Sequence, residues 1–302
     1  MNHRQNVDFV VRFVHLMLND VTFILDESFT AFRIIHRLQG ELETKPSTLT
    51  PEQKQEKEGD LNTNQSKAKS YMQLTTEFIQ MFEIFTEALP DAFTMPEIVQ
   101  RLADMLDYNL DSLAGKKQSE LKVRDQAQYS FNPAALLSHI MSVYLNLKDK
   151  SSFITAVGRD GRSYKPHSFE SAALILGRTS LKSPDELTVF KKLIATIAAT
   201  REVDKQAEED LGDIPYEFLD PLMYTLMEDP VILPTSRTTI DWITIRIHLL
   251  SNPVDPFNRV PLEIGDVIPD KELKKAIEKF KAEARGKDSL NSSQSVRLAT
   301  VD

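Results

Sequence analysis

Cysteine is absent from this sequence of 302 residues. Its absence excludes disulfide bonds, thiolate nucleophiles, cysteine-ligated zinc and iron–sulfur clusters, and it suits a reducing compartment. Glycine is scarce too, because the 9 glycines are less than half of the ~7% share that is usual in proteins. Since glycine provides many tight turns, its scarcity favours a mostly helical chain.

A long uncharged apolar run is also missing. The most apolar segment, residues 6–38, is interrupted by charged side chains, among them Asp8, Arg12, Asp20, Asp26, Glu27 and Arg33. No stretch approaches the ~20 apolar residues of a membrane span, and none has the features of a signal peptide. The net charge of −9 disfavours nucleic acid and anionic membranes as partners. The sequence predicts a soluble intracellular protein.

The common motifs of enzymes are missing as well. The sequence contains no glycine-rich phosphate loop, no G-x-S-x-G turn and no H-E-x-x-H helix. Its six histidines lack the spacing of metal ligands. We therefore predict no bound metal and no other cofactor.

Proline divides the chain into two regions, because eight of the 15 prolines lie between residues 213 and 281. We predict long amphipathic helices over 1–210 and short elements joined by rigid turns over 213–283. Residues 41–70 have few large apolar side chains, so we expect a mobile connection there. Residues 286–302 are small and polar, and a disordered tail is expected.

Several helix starts are recognisable in the first region. Asn132 before a proline predicts a helix over 133–147, and residues 183–186 form a capping box that starts another helix. Ser168 is predicted to cap a helix that ends at Gly177.

The second region has a β-β-α-α pattern. Residues 231–233 and 238–240 are separated by a turn of hairpin length. Asp241 is predicted to cap a short helix, and Asp270 is predicted to cap the final helix.

Two sets of segments resemble a known family. In the second region, five segments resemble a U-box, which is the zinc-free relative of the RING domain found in ubiquitin ligases. They are residues 213–223, 229–234, 240–241, 248–250 and 255–262. In the first region, five segments are similar to the C-terminal core of the ubiquitin-chain elongation factors, which are also called the E4 conjugation factors. They are residues 106–110, 121–125, 131–133, 144–147 and 159–164. The family's core is longer on its N-terminal side, so we expect this sequence to be the C-terminal portion of such a protein, as a fragment or a short form.

The resemblance implies a mainly α fold, with an armadillo-like helical solenoid over 1–210 followed by a small α+β U-box over 213–283. It implies a ubiquitin ligase, located in cytoplasm and nucleus, that extends chains on already ubiquitinated substrate proteins. The ligase docks a ubiquitin-loaded conjugating enzyme and forms no covalent intermediate of its own. Further implied partners are an AAA-type segregase ATPase and shuttle factors with ubiquitin-like domains.

The resemblance also assigns five residues to the working surface. Leu222 matches an apolar side chain that inserts into the conjugating enzyme, and Tyr224 lies beside it. The working surface is a shallow groove made by two loops and the short helix. Pro256 forms the opposite wall of this groove, and His248 lies on its helix side. Arg259 matches a cation that bridges ubiquitin and its carrier and holds the thioester folded back, which suits the planar guanidinium with its five donors. Catalysis is then a matter of positioning.

A domain of this kind is held by a small core and by hydrogen bonds in place of zinc. The candidate polar ties are Asp229, Asp241 and Asn258. After Asp241 the family usually has arginine, whereas this sequence has Trp242, which is predicted to pack over the helix start. The candidate core residues are Leu226, Val231, Leu233, Ile240, Ile245, Leu249, Leu262, Leu273 and Ile277.

Three alternatives remain open from the sequence. In the first alternative, the chain is a non-catalytic helical scaffold or adaptor, with the U-box as a structural cap. Leu222 and Tyr224 are alternatively core residues, because leucine is usually buried. Arg259 is alternatively an ordinary surface arginine that folds over its own loop.

Overall fold

The computed structural model describes residues 2–44, 49–159 and 164–298, with side chains described over 8–44, 49–159 and 164–284. Its contacts divide the chain into two compact units, Met1–Arg201 and Glu202–Asp302. Helices dominate the first unit, and all the strands of the described residues lie in the second. The predicted mainly α fold with a small α+β region near its end is thus confirmed.

The first unit consists of helices joined by short connections. Helix α4 contacts α1, α5, α6 and α7, and most of its side chains are buried, so it forms the centre of this unit. No helix in the described ranges is long and apolar enough to cross a membrane. The helices are α1 (Asn2–Thr44), α2 (Pro51–Ala88), α3 (Pro90–Phe93), α4 (Pro96–Ala114), α5 (Pro133–Asn146), α6 (Ser151–Arg159), α7 (Pro166–Arg178) and α8 (Pro184–Leu211), with 3₁₀ helices at Lys116–Leu121 and Gln126–Tyr129.

Two of the predicted helix starts are confirmed. Asn132 Oδ1 accepts a hydrogen bond from the Ala135 amide at 3.1 Å, at the start of α5. At the start of α8, the Glu186 amide donates to Ser183 Oγ at 3.2 Å, and the Ser183 amide donates to Glu186 at 2.8 Å. These reciprocal bonds are those of a capping box.

The predicted cap at Ser168 is wrong. Helix α7 already begins at Pro166, because a proline is favoured at the first helical position, where the missing amide proton costs nothing. Ser168 lies inside the first turn, is fully buried, and donates to Asp111 Oδ1 on α4 at 2.7 Å. Its hydroxyl joins two helices and does not cap one.

The predicted mobile connection over residues 41–70 is also wrong. Helix α1 extends into this segment, α2 occupies most of the remainder, and residues 45–48 lie outside the described residues. A capping box fixes the start of α2, where the Gln53 amide donates to Thr50 Oγ1 at 3.3 Å and the Thr50 amide donates to Gln53 Oε1 at 3.0 Å.

Tertiary contacts explain why this polar segment is helical. Lys57 and Lys67 of α2 form ion pairs with Glu41 and Glu27 of α1, and Ala68 is fully buried. Composition measures only how much apolar surface a segment has, whereas these contacts depend on the neighbouring helix. Packing of one face is the usual source of helix stability in proteins.

The helical state of this segment is testable at Gly59, an exposed residue inside α2. No atom lies within 4 Å of the position that a Cβ would occupy. We expect Gly59→Ala to raise the free energy of unfolding by about 0.5–1 kcal/mol, because alanine loses less backbone entropy in a helix. Chemical denaturation followed by far-ultraviolet circular dichroism measures this change.

Gly40→Ala is the matched control, because Gly40 is helical and has an equally open Cβ position. It lies before the segment in question and is expected to give a similar gain. A gain at Gly40 with no gain at Gly59 would show that the first half of α2 is not helical in solution.

The second unit contains a three-stranded antiparallel sheet of order β2-β1-β3. Val231 is opposite Ile240 on one side and Pro269 on the other, which confirms the predicted hairpin. The elements are β1 (Pro230–Ile232), β2 (Thr239–Asp241), α9 (Trp242–Ser251), β3 (Ile268–Pro269) and α10 (Lys271–Leu298), with 3₁₀ helices at Tyr216–Phe218 and Ile264–Asp266.

Both predicted caps of this unit are confirmed. Asp241 Oδ1 accepts from the Ile243 amide at 3.0 Å at the start of α9, and Asp270 Oδ1 accepts from the Leu273 amide at 3.0 Å at the start of α10. Each carboxylate satisfies an amide that the helix leaves without a backbone acceptor.

The core of this unit agrees with most of the prediction. Leu226, Leu249 and Leu273 are only half-buried, and the buried Met227 was not among the predicted core residues. The predicted residues that are buried are Val231, Leu233, Ile240, Ile245, Leu262 and Ile277.

The predicted disordered tail over 286–302 is not what the backbone shows. Helix α10 continues to Leu298, and residues 299–302 lie outside the described residues. Once a helix has formed, each further residue adds a hydrogen bond without a new nucleation cost. Composition alone does not register this effect.

Candidate functional site

Three turns of the second unit share one hydrogen-bonded geometry. The amide of the first residue donates to the carbonyl of the sixth at 2.8, 2.9 and 2.8 Å, and the amide of the fifth donates to the carbonyl of the first at the same three distances. Proline is the second residue of each turn, where its fixed φ favours turn formation. We name residues 220–225 the first loop, 233–238 the hairpin turn and 255–260 the second loop.

The fifth residue of each turn adopts the left-handed backbone conformation. The φ angles are 55° at Tyr224, 57° at Arg237 and 61° at Arg259. This conformation costs roughly 1–2 kcal/mol for a residue with a Cβ, so the hydrogen bonds that close each turn must hold it there. The chain thus makes tight turns without glycine, which the argument from glycine content did not foresee.

A buried carboxylate holds the first loop in place. Asp220 is fully buried, and its Oδ1 accepts from the amides of Leu222 and Met223 at 2.8 and 2.9 Å. Its Oδ2 accepts from the amide of Asp241, at the end of β2, at 3.0 Å. The first loop is therefore anchored to the end of strand β2.

A second buried carboxylate, Asp255, holds the second loop. Its Oδ1 accepts from the Phe257 amide at 2.9 Å, and its Oδ2 accepts from Thr235 Oγ1 at 2.7 Å and from the Ser236 amide at 3.2 Å. Burial raises the pKa of Asp255, but the hydrogen bonds from Phe257, Thr235 and Ser236 outweigh burial, and the pKa lies below its ordinary value. The second loop is therefore anchored to the hairpin turn.

The two anchors lie at opposite ends of the β1–β2 hairpin. The first loop is bonded to Asp241 at the base, and the second loop is bonded to Thr235 and Ser236 in the turn. The three paired residues between these ends correspond to about 10 Å at ~3.3 Å per residue. The hairpin thus acts as a rigid spacer that sets the separation of the two loops.

The predicted polar ties are only part of this network. Asp241 is a tie, since its Oδ2 accepts from the amides of Glu228 and Asp229 at 2.5 and 3.1 Å. The Asp229 carboxylate pairs with Lys274 on α10. Asn258 bonds only within its own loop, where its Oδ1 accepts from the Val260 amide at 3.0 Å.

Sequence reasoning missed the two principal anchors, Asp220 and Asp255. A signal was present, because both residues precede proline in an Asp-Pro pair. An aspartate at the start of a turn commonly accepts from the amide two residues later, and both do so here.

The predicted surface residues lie on these two loops. Leu222 and Tyr224 of the first loop are 42% and 67% exposed, which excludes the alternative that they are core residues. On the second loop, Pro256 is half-buried and Arg259 is exposed. Further exposed apolar side chains, which were not predicted, are Met223 on the first loop and Phe257 and Val260 on the second.

His248 makes a different kind of contact. Its ring is half-buried, and its Nε2 lies 3.0 Å from the carbonyl oxygen of Val254. Since a carbonyl oxygen can only accept, Nε2 donates this bond. The contact ties α9 to the residue that precedes the second loop, and a role of His248 in binding a partner stays a prediction.

Trp242 packs as predicted from its place after Asp241. Its half-buried ring lies against the apolar core of the second unit, and the guanidinium carbon of Arg246 lies 4.7 Å from the ring centroid. Such a cation–π contact adds attraction to the burial of apolar area.

Hydrogen bonds are the observed ties of the two loops. Within the described residues, no group of three or more histidine, aspartate or glutamate side chains is arranged to hold a metal. The buried carboxylates of the loops accept from backbone amides and from one hydroxyl. A buried carboxylate is stable when its oxygens are satisfied in this way.

Comparison with known proteins places both units in defined families. Residues 1–198 match the family model of the ubiquitin elongating factor core, and residues 214–286 match that of the U-box domain. The chain is 45% identical over 286 residues to the E4 ubiquitin-protein ligase UFD2 of Saccharomyces cerevisiae, covering 93% of this chain and 30% of that protein. It is 46% identical over 290 residues to the ubiquitin conjugation factor E4 of Schizosaccharomyces pombe, covering 96% of this chain and 29% of that protein.

A mammalian relative gives the same result. The ubiquitin conjugation factor E4 A of Rattus norvegicus is 37% identical over 285 residues, which is 93% of this chain and 26% of that protein. The chain therefore spans less than a third of the length of these curated relatives. A helical core followed by a zinc-free RING-like fold defines the class of U-box proteins with an elongating-factor core. The chain belongs to the family of the ubiquitin elongating factors.

Proposed function

We propose that this chain is a ubiquitin ligase of the chain-elongating type, whose U-box docks a ubiquitin-loaded conjugating enzyme through its first and second loops. One observation supports this proposal most directly. The loops present exposed apolar side chains and an exposed arginine on rigid turns that are anchored to one hairpin. A surface of this kind suits a partner whose own apolar patch contacts both loops.

The proposed chemistry needs no nucleophile from this chain. The amine of an acceptor lysine attacks the thioester carbonyl of the carried ubiquitin, an isopeptide bond forms, and the thiol of the conjugating enzyme leaves. The chain has no cysteine, so it offers no thiol for a thioester intermediate of its own. Its contribution is to hold the thioester in one orientation, which lowers the entropic part of the barrier.

Arg259 is the residue that we propose for this contact with ubiquitin and its carrier. Its backbone is fixed in the left-handed conformation by the bond from its amide to the Asp255 carbonyl at 2.8 Å. The guanidinium remains exposed and permanently charged, so it can donate to carbonyl oxygens on two partners. A rigid backbone under an exposed donor lowers the entropy that is lost on binding.

The test is the rate at which ubiquitin is discharged from a loaded conjugating enzyme to free lysine. We expect Arg259→Ala to lower this rate about ten- to hundredfold, as the loss of one or two charge-assisted hydrogen bonds at the transition state implies. Binding of the conjugating enzyme should change little, because the apolar contacts of the loops remain.

Arg237→Ala is the matched control. Arg237 occupies the same left-handed fifth position in a turn of the same geometry and is also exposed, but it lies on the hairpin turn. Its loss should leave discharge within about twofold of the unmodified chain. If the unmodified chain does not accelerate discharge at all, the chain acts as a non-catalytic scaffold and the proposal is wrong.

Leu222 provides a separate test of the docking surface. Because its side chain is 42% exposed, we expect Leu222→Ala to weaken binding of the conjugating enzyme about tenfold, as the loss of an interfacial anchor does. The free energy of unfolding should change by no more than about 0.5 kcal/mol. Isothermal titration measures the first quantity and chemical denaturation the second. A loss of stability of about 2–5 kcal/mol would instead show that Leu222 is a core residue.

The resemblance to the family supports further partners. Ubiquitinated proteins are the proposed substrates, and an AAA-type segregase ATPase and shuttle factors with ubiquitin-like domains are proposed as associated proteins. The cytoplasm and nucleus are the proposed locations. Each stays a prediction for this chain.

A further inference from the structure

Lysine is missing from residues 206–270, the segment that contains the first loop, the hairpin turn and the second loop. The whole chain has 21 lysines in 302 residues, so a segment of this length is expected to contain about four or five. The same segment does contain three arginines, Arg237, Arg246 and Arg259. Positive charge is therefore present in it, and the group that is lacking is the primary amine.

The primary amine is the group to which ubiquitin is attached. A lysine amine that has lost its proton attacks a thioester, whereas the guanidinium of arginine keeps its proton and does not act as an acceptor. Arginine thus supplies charge to the proposed docking surface without offering a site of attachment. A ubiquitin attached to either loop would be a folded protein lying where the conjugating enzyme has to bind.

Lysine returns immediately after this segment, in helix α10. Five lysines lie within residues 271–281, and residues 214–286 match the U-box, so these lysines belong to the same domain as the loops. Three of them are exposed and follow one another at intervals of four residues, which places them along one face of the helix. This face, which we call the α10 lysine face, consists of Lys271, Lys275 and Lys279.

Packing on the other side of α10 directs this face to solvent. Ile277 is 1% exposed, and the ring of Phe280 meets the ring of Phe218 at 5.6 Å. Phe218 belongs to the 3₁₀ helix that directly precedes the first loop. The contacts that hold α10 therefore also tie it to the chain that enters the first loop.

Lys274 lies outside this face and makes a different contact. Its amine pairs with the carboxylate of Asp229. The hydrogen bond from Lys274 to Asp229, together with the charge of Asp229, raises the pKa of Lys274 above its ordinary value. Its amine is thus held in the protonated form, which cannot attack a thioester.

The start of α10 lies close to the anchor of the first loop. The amide of Asp270 donates to the carbonyl of Pro230 at 2.9 Å, and Pro230 is opposite Asp241 in the sheet. The amide of Asp241 in turn donates to Asp220 of the first loop at 3.0 Å. Two neighbouring spacings of ~4.8 Å in the hydrogen-bonding direction correspond to about 10 Å. Lys271 follows Asp270 directly, so the α10 lysine face begins near the proposed docking surface.

We infer that this ligase attaches ubiquitin to its own α10 lysine face, chiefly at Lys271 and Lys275, while its lysine-free segment keeps the docking surface unmodified. The inference rests on the function proposed above. The uncharged amine attacks the thioester carbonyl of the carried ubiquitin, an isopeptide bond forms, the thiolate of the conjugating enzyme leaves, and the proton of the amine passes to solvent. Lys279 is a weaker acceptor, because it lies two turns further along and pairs with Glu283 at 3.7 Å.

The experiment incubates the full chain with ubiquitin, ATP, the activating enzyme and a conjugating enzyme, and maps the modified lysines by mass spectrometry. We expect Lys271 and Lys275 to carry most of the attached ubiquitin. The double variant Lys271→Arg with Lys275→Arg keeps both charges and should lower the attached ubiquitin about fivefold or more, because the remaining amines lack the same proximity to the thioester. Its discharge of ubiquitin to free lysine should not change.

The matched control is the double variant Lys191→Arg with Lys192→Arg. Both lysines are exposed and lie on α8 in the first unit. Their replacement should leave the amount of attached ubiquitin unchanged.

Arg237→Lys tests the protection of the docking surface. It keeps the charge but places an amine on the hairpin turn, which is bonded to the second loop through Thr235 and Ser236. Its initial rate of discharge should equal that of the unmodified chain. After incubation with ubiquitin and ATP, its rate should fall in proportion to the fraction of chains that carry ubiquitin on the new amine. The unmodified chain should keep its rate after the same incubation.

Several results would overturn the inference. Ubiquitin spread evenly over the lysines of both units, with discharge to free lysine still accelerated, would overturn it and leave the proposed function standing. An Arg237→Lys chain whose new amine acquires no ubiquitin, or that keeps its full rate once modified there, would have the same meaning. A chain that neither accelerates discharge nor acquires ubiquitin would overturn the proposed function together with this inference.

Discussion

Replacing Asp255 by alanine is expected to lower the free energy of unfolding of the second unit by about 3 kcal/mol or more. The substitution removes the acceptor for Thr235 Oγ1 and for the amides of Ser236 and Phe257. Asp255 itself is fully buried, and each hydrogen bond to a charged group contributes about 1.5–3 kcal/mol. The second loop also loses its anchor to the hairpin turn, so discharge of ubiquitin should fall with stability.

Trp242 makes this measurement specific to the second unit. It is the single tryptophan of the chain and lies half-buried against the core of that unit. Its fluorescence during chemical denaturation therefore reports the unfolding of the U-box. If Asp255→Ala has the same denaturation midpoint by Trp242 fluorescence as the unmodified chain, the carboxylate does not hold the loop.

Asp255→Asn is the isosteric control, because it keeps one acceptor oxygen and removes the charge. It should lose about half as much stability as Asp255→Ala. The pKa of Asp255 is lower in the folded chain than its ordinary value, so its carboxylate contributes stability above the pKa of an unfolded aspartate, about 4. That contribution is lost as the pH falls through the lowered pKa of the folded state. The difference between the unmodified chain and Asp255→Asn should therefore be largest near neutral pH and shrink below about pH 4.

Replacing Phe169 by alanine is expected to lower the free energy of unfolding of the first unit by about 3–5 kcal/mol, the range observed for truncating a buried phenylalanine. The ring is 1% exposed. It meets Tyr144 of α5 edge-on at 5.5 Å, Phe190 of α8 in a stack at 6.1 Å, and Tyr164 at 5.3 Å. Its removal leaves a cavity where three elements meet, and rigid neighbours on several helices cannot close it without losing their own contacts.

Far-ultraviolet circular dichroism measures this loss, since most of the helix content belongs to the first unit. Leu174→Ala is the control on the same helix, because Leu174 is 60% exposed and its truncation should cost no more than about 0.5 kcal/mol. Equal losses at Phe169 and Leu174 would show that the aromatic cluster does not hold this unit together.

Local rules were sufficient where neighbours in sequence make the structure. The caps at Asn132, Ser183, Asp241 and Asp270 were predicted because each side chain bonds an amide two or three residues away. The β1–β2 hairpin followed from alternation around a proline turn. The proposed docking surface rests on the resemblance of the loop segments to a U-box and stays a prediction; the structure shows only that Leu222 and Tyr224 are exposed.

Local rules failed where a distant neighbour makes the structure. The first half of α2 is polar, yet it is helical and packs against α1, where Glu27 and Glu41 pair with Lys67 and Lys57. Ser168 has the side chain of a cap, yet it bonds Asp111 on another helix. In each case the deciding group is more than fifteen residues away in sequence or on a different element.

The sequence by itself determined the class of protein, the absence of any thiol chemistry, and the residues of the two proposed binding loops. These properties reside in residue identity and in short motifs, which do not depend on packing. The tertiary structure alone decided that Asp220 and Asp255 anchor the loops to opposite ends of one hairpin, and that Ser168 joins α7 to Asp111 of α4. Both depend on which groups are brought together and shielded from water, and burial is a property of the folded chain, which a list of residues does not contain.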